Sequence, residues 1–287
     1  MNQVMSVLIS TLSMSVPLIL AALGGVISVR SGIMALGLES MMTMGAFCGV
    51  LGSYFTNHVV FGILFGIAGG ALFGLCHGVL SIRYKVNQVI SGIGLNLLSV
   101  SATTLLMQLL WNNTGASPQV SSIKQGVLTS PITWIMLVAV VLEYIVLFKT
   151  CIGLRLRTVG ENPKAAATVG LPVHRIKYMA VISCGMLAGL GGAYLSIDHL
   201  DMYVRDMSAG RGYIAVAIMI LARYNPIMVL FCALIFGFSD AVQINLQGYG
   251  VPPQIMSMLP YIVTLFVLAF GVRHITPPAG VGAHDDD

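Results

Sequence analysis

Three acids, Glu39, Glu143 and Asp240, fall well inside long apolar runs of the sequence. A charged side chain near the centre of a bilayer costs at least ~2.5 kcal/mol on insertion scales, so each is a functional candidate from the outset. Glu39 sits in "GLES", and Asp240 sits in "GFSDAVQIN". Gln243 lies one helical turn on from Asp240 and shares its face, with Asn245 close by in sequence. Asn96, in "GIGLNLL", carries an amide that also needs partners in hydrocarbon. Glu143 lies within two turns of Lys149, which brings it toward the membrane surface. The plain alternative for each residue is an interhelical hydrogen bond. Carboxylates and amides of this kind suit a neutral, hydrogen-bonding solute such as a nucleobase or sugar. They do not form the cluster of carboxylates or carbonyls that a bare metal ion requires.

Other chemistries lack their residues. There is no Gly-x-Ser-x-Gly, no His-Glu-x-x-His and no phosphate-binding loop. The five cysteines, Cys48, Cys76, Cys151, Cys184 and Cys232, are scattered without a Cys-x-x-Cys pair, so they read as small apolar packing residues. No chain of acids and histidines suggests a proton relay. The sequence implies no enzyme and no cofactor on this chain. If transport is active, the energy source is on another polypeptide.

The elements that must position the candidates are helices in a membrane. The chain has 287 residues, 57% hydrophobic and 8% charged, against about 25% charged in a soluble domain. Apolar runs of helical spanning length fall at 5–27, 33–55, 59–80, 88–110, 131–149, 176–198, 210–222, 227–247 and 256–272. They lack the alternation of a barrel strand. An all-α bundle of about eight to ten spans is expected, one domain over 1–275 with a disordered tail over 276–287. The first run is read as a retained span, because its first positive charge, Arg30, follows the apolar stretch instead of preceding it. The net charge of +4 is not a signal for nucleic acid; it reflects where the loops lie.

Charge orients the bundle. With the N-terminus outside, 11 of the 14 Lys and Arg fall on the cytoplasmic side, and Lys124, Arg205 and Arg211 fall on the other. The positive-inside rule favours that arrangement and a cytoplasmic C-terminus. The run at 210–222 is too short to cross: thirteen residues reach about 20 Å of a core of about 30 Å. It follows the polar stretch "DHLDMYVRDMSAGRG", so a broken or re-entrant element is expected over 199–222. In the third run Gly62, Gly66, Gly70, Gly74 and Gly78 recur every four residues. That pattern favours close helix packing over a smooth pore lining. His77 reads as a hydrogen-bonded packing residue.

One polar stretch, "TVGENPKAAATVGLPVHRIKY", carries its own helix punctuation. Asn162 is a good N-cap and Pro163 suits the first helical position. Lys164 begins a run with three alanines, Gly170 supplies a stop, and Pro172 prevents continuation. A helix of two turns is marginal alone, so it docks either on the membrane surface or in a cleft of a partner.

This segment resembles the cytoplasmic coupling helix of ATP-binding cassette (ABC) importer permeases, whose pattern is Glu-Ala-Ala, three residues, then Gly. Here Ala165, Ala166 and Gly170 keep the spacing, while Lys164 stands where Glu is usual. That departure is typical of permeases for ribose, branched-chain amino acids and nucleosides. "ALGGVISVRSGIMALGLESMMTMGAF" (22–47), "VNQVISGIGLNLL" (86–98), "GENPKAAATVGLPVHRIKYMAVISCGMLAGLGGAYLSI" (160–197), "GRGYIAVAIMILARYNP" (210–226), "FGFSDAVQINLQ" (236–247) and "LPYIVTLFVLA" (259–269) resemble the nucleoside-type permeases in order. Ser40 departs from the Gly that many relatives carry. The resemblance implies a bacterial cytoplasmic-membrane permease paired with a second, similar permease. It further implies two ATP-binding modules, commonly fused, that hold ATP and magnesium, and a lipid-anchored binding protein outside.

On that footing Asn162, Pro163, Lys164, Ala165, Ala166 and Gly170 are the expected ATPase-coupling residues. Glu39, Asn96, Asp240, Gln243 and Asn245 are the expected substrate pathway. The outer loops 111–130 and 199–209 are the expected docking surface for the binding protein. A sugar or branched-chain amino acid remains an alternative cargo. An ATP-independent secondary transporter remains the alternative class, although such carriers show matching broken helices in both halves, and only 210–222 is short here.

Overall fold

The computed structural model describes residues 3–121, 127, 130–246, 258, 260, 262–263, 265, 269 and 277–282. Among them the chain is helical, with one isolated antiparallel bridge, Ala116 to Val204. The helices are α1 (Gln3–Arg30), α2 (Leu38–Thr56), α3 (Val59–Gly78), α4 (Gln88–Trp111), α5 (Pro131–Lys149), α6 (Cys151–Glu161), α7 (Pro163–Thr168), α8 (Val173–Ala193), α9 (Arg211–Leu221) and α10 (Pro226–Leu246). A π-helical turn extends α3 through Arg83, and another extends α8 through His199.

Six of these helices are long and apolar enough to cross a membrane: α1, α3, α4, α5, α8 and α10. The expected run at 33–55 begins five residues late, because 31–37 is not helical. The run at 210–222 is the short helix α9. The run at 256–272 lies almost wholly outside the described residues. α6 was not anticipated. Its apolar and charged residues alternate around one short helix, and Thr150 caps it by accepting from the Gly153 N–H.

α2 is the most enclosed element after α1. Its sequence is polar for a span, but Leu38 to Ala46 are buried without a break. Glycine explains how it sits so deep. Gly45 of α2 lies against Gly189 of α8, while Gly66 and Gly70 of α3 bring that helix against Gly45, Gly185 and Gly189. Small residues let helix backbones approach where lipid offers no hydrophobic drive. A Cβ on Gly74 would meet the Val181 carbonyl at 2.7 Å. The glycine ladder of α3 is therefore a packing seam. Gly70→Ala is expected to cost about 1–3 kcal/mol of stability by overpacking, read as a lower unfolding temperature of the detergent-purified chain.

Candidate functional site

The segment 31–37 carries a charged residue just before it and another just after it, Arg30 and Glu39. Both reach α9. The Glu39 carboxylate accepts from Ser208 Oγ, from the Gly210 N–H at 3.0 Å and from the Gly212 N–H at 2.6 Å. It thereby caps the N-terminus of α9. The Arg30 guanidinium donates to the Tyr224 carbonyl at 3.2 and 3.3 Å, just past the C-terminal end of α9. An anion at the N-terminus and a cation at the C-terminus both complement a helix dipole. α9 is thus held end to end by the residues flanking one short connector.

α9 has 11 residues, about 16 Å of helix, so it spans only about half of a hydrocarbon core. Its first turn is reached by the polar segment 200–210, and Gly210 turns the chain with φ 80°. This is the expected broken element. Arg211, counted by charge with the outer loops, instead begins α9 beside buried Glu39.

Asn96 ties a further element to this point. Its Oδ1 accepts from the Ser40 N–H at 2.9 Å, and its Nδ2 donates to the Leu36 carbonyl at 3.3 Å and to Tyr213 Oη at 2.7 Å. Glu39 and Asn96 therefore spend their hydrogen-bonding capacity on the chain itself, as positioning residues.

Asp240 and Gln243 do gather with a polar group. They share a pocket of about 190 Å³ with Ala209, Arg211, Ile214 and Pro260. Arg211 Nη1 donates to the Met207 carbonyl at 3.1 Å, while its Nε has no hydrogen-bond partner among the described residues. Asn245 does not join them. It is exposed, and its Nδ2 bonds the Ala241 carbonyl one turn back in its own helix. Arg211 is not among the expected site residues, because it is counted only for its charge, on the outer side at the start of the run 210–222. The signal available was the flanking pair Gly210 and Gly212, which lets the Gly210 and Gly212 amides approach a carboxylate.

At the basic end of the bundle the punctuated stretch forms α7. Asn162 Oδ1 accepts from the Ala165 N–H at 3.0 Å, Pro163 occupies the first turn, and Gly170 adopts φ +79° beyond the end. Ala166 faces inward and is buried, whereas Lys164, Ala165, Ala167, Thr168 and Val169 are exposed. Val169 is 74% exposed. The open face of α7 is thus small and apolar with one lysine, and Ala166 is not part of it.

The root of α7 meets two other segments. A Cβ on Gly160 would strike the Arg30 carbonyl and lie 3.2 Å from the Gly32 nitrogen. The Gly280 N–H donates to the Gly160 carbonyl at 2.9 Å, and the Ala279 N–H reaches Glu161 Oε2 at 3.3 Å. Residues 277–282, within the stretch expected to be a disordered tail, therefore make defined contacts. Gly32, at φ +91°, belongs to the connector that holds α9.

A family model described as the permease component of the branched-chain amino acid transport system matches residues 7–268. The chain belongs to that permease family. It is similar to the guanosine ABC transporter permease protein NupQ of Bacillus subtilis, 33% identical over 308 residues, covering 98% of this chain and 96% of that one. The nucleoside ABC transporter permease protein NupC of Lactococcus lactis is also 33% identical, with coverage of 99% and 97%. The putative glucose ABC transporter permease protein TsgC13 of Haloferax volcanii is 33% identical, with coverage of 92% and 90%. With its apolar helices, the chain is an integral membrane permease subunit, and the catalytic work of an ABC transporter is not its own.

At the end of the permease opposite α7, the segments 111–121 and 200–206 meet each other. Ser117 N–H donates to the Tyr203 carbonyl at 2.8 Å, Val120 N–H to the Asp201 carbonyl at 2.9 Å, and Arg205 N–H to the Gly115 carbonyl at 2.9 Å. Tyr203 anchors this pair. Its ring packs edge-on against Phe47 at 5.4 Å, and its hydroxyl bonds Thr103 Oγ1 at 3.2 Å. Burial pushes the Tyr203 phenol up to about 12, so it stays a neutral donor. His77 is a packing residue as expected, bonded to Ser91 Oγ at 3.1 Å and the Met34 carbonyl at 3.0 Å.

Proposed function

We propose that this permease is the membrane subunit of an ATP-driven importer for nucleosides in a bacterial cytoplasmic membrane, working with a second permease. The observation that carries this reading is the near full-length likeness to NupQ and NupC. The pocket chemistry supports it: a guanidinium, a carboxylate and an amide face one small space, which suits the donors and acceptors of a nucleobase or ribose. ATP and magnesium belong to separate ATP-binding modules. A binding protein delivers cargo to the joined loops 111–121 and 200–206, and the C-terminus is cytoplasmic.

In this mechanism the open face of α7 sits on the ATP-binding modules. Their closure moves α7 and its root at Gly160. Gly160 presses on Gly32, and the connector 31–37 carries α9 through Arg30 and Glu39. Arg211, at the start of α9, then shifts relative to Asp240 and Gln243 on α10, which opens or closes the pocket. Allosteric coupling of this kind needs an element that both sites bias, and the connector with α9 meets that description.

The test is gentle-detergent purification with mass spectrometry of stoichiometric partners, followed by uptake of labelled guanosine and glucose in vesicles. An ATP-binding subunit, a second permease and guanosine uptake are expected. Full activity without any ATPase would overturn the importer reading, and glucose uptake alone would overturn the cargo. Asp240→Asn and Arg211→Ala are each expected to lower uptake about 10- to 100-fold, equivalent to about 1.4–2.8 kcal/mol, with partner recovery unchanged.

A further inference from the structure

Between α5 and α8 lies a cleft of about 590 Å³, backed by Ile27 of α1 and floored by α6. Leu142 and Met186 on its walls are more than 40% exposed, so it opens on the apolar flank of the bundle. Its lining is hydrocarbon apart from three side chains, Glu143, Arg155 and Ser183. Glu143 is 4% exposed, and neither carboxyl oxygen has a hydrogen-bond partner among the described residues. A buried carboxyl group without partners is strongly unfavourable, so such a group is normally satisfied by a charge or donor. The described residues supply neither, and Glu143 is one of the residues that line the cleft.

The chemistry of the occupant follows from the two charges. Glu143 and Arg155 line the same cleft and form no ion pair with each other among the described residues. A ligand that satisfies both must carry a cation and an anion on one small headgroup. Glu143 lies six residues before Lys149, about 9 Å from the end of α5, so the cation must sink below the level of α6. Hydrocarbon on the exposed walls must continue along the ligand. We propose that the cleft binds an aminophospholipid from the same leaflet as α6. Its primary ammonium donates to both Glu143 oxygens, its phosphate rests on Arg155, and its acyl chains run along Leu142 and Met186. A primary ammonium offers three donors, enough for two carboxyl oxygens and Ser183. A choline headgroup offers none, and a glycerol headgroup has no cation. Basic positions on this side of a bundle are established sites for lipid phosphates. The site is separate from the cargo pocket, and its occupancy does not depend on which solute is carried.

The experiment uses the full permease assembly in nanodiscs of equal phosphatidylethanolamine, phosphatidylcholine and phosphatidylglycerol. After detergent transfer, native mass spectrometry reads the lipid retained per chain. Wild type is expected to retain phosphatidylethanolamine at least 5-fold over each of the others. Glu143→Gln and Arg155→Ala are each expected to bring it to the level of phosphatidylcholine. Equal retention of all three lipids by wild type would overturn the proposal without any variant. So would a preference for phosphatidylglycerol, an unchanged preference in Glu143→Gln, or a Ser183→Cys cross-link to the second permease showing the cleft filled by protein. Failure of the importer reading would appear in the uptake assay and would leave these lipid ratios untouched.

Discussion

Glu39→Ala is expected to destabilise the permease by about 3 kcal/mol or more and to abolish uptake. The carboxylate accepts from one hydroxyl and two backbone amides at the start of α9. Its removal leaves the Gly210 and Gly212 amides without their acceptor, each worth about 1–3 kcal/mol, strips Ser208 of one of its two partners, and deletes the anion that complements the helix dipole. Glu39→Gln keeps the volume and one acceptor oxygen, so it is expected to fall between wild type and alanine. Ser208→Ala removes the bond to Glu39 and the one to Thr43 Oγ1 at 3.0 Å but leaves both backbone amides capped, so it should cost less, about 1–2 kcal/mol.

The readout that matters is thermal stability beside uptake. A residue that only touched cargo would lose uptake at unchanged stability. A Glu39→Ala chain that unfolds at the wild-type temperature would therefore show that the cap is not what Glu39 contributes. Asn96→Ala offers an independent check, because it unties α4 from Ser40 and Tyr213. It should lower stability while leaving any residual substrate preference intact.

This distinction marks how far the sequence could be read. Glu39 and Asn96 stand out in the sequence as polar residues in apolar runs, and the structure buries both. The sequence could not say whether their partners were solute or protein. A backbone amide that donates to a carboxylate leaves no side-chain signature, and Gly210 and Gly212 reveal it only once the fold brings them to Glu39. Length alone marked α9 as broken, and capping residues alone marked α7, because both signals are local. Arg211 was misread for the opposite reason. Its charge counted it with the outer side, while its place is set by its neighbours Gly210 and Gly212, whose amides bond Glu39 more than 170 positions earlier. α6 escaped because a short amphipathic helix next to a span changes neither mean hydropathy nor turn content. The meeting of Gly32, Gly160 and Gly280 was equally hidden, since three glycines far apart in sequence share nothing until they touch.

The α7 helix carries the second large effect. Val169→Glu and Ala165→Arg are each expected to reduce ATP-driven uptake about 100-fold or more while the chain stays folded and inserted. Both positions are exposed, and neither new side chain displaces anything within the permease. A partner cleft that accepts alanine and valine would instead receive a charge that must be desolvated without a counter-charge, which costs several kcal/mol. Ala166→Leu is the contrast. Ala166 is buried at 3% exposure, so extra methylenes should lower stability by about 1–3 kcal/mol and disturb uptake only as folding suffers. Gly160→Ala separates the two effects further. Its Cβ would drive against Arg30 and Gly32 without touching the open face of α7. Such a chain should still recruit the ATP-binding modules and still support hydrolysis, yet move cargo poorly, because force from α7 no longer reaches the connector in register. Measuring ATP hydrolysis and uptake on the same vesicles reads the ratio directly. A Gly160→Ala permease with both rates reduced in proportion would mean that α7 acts through some route other than Gly32, and that Arg30 and Glu39 hold α9 without driving it.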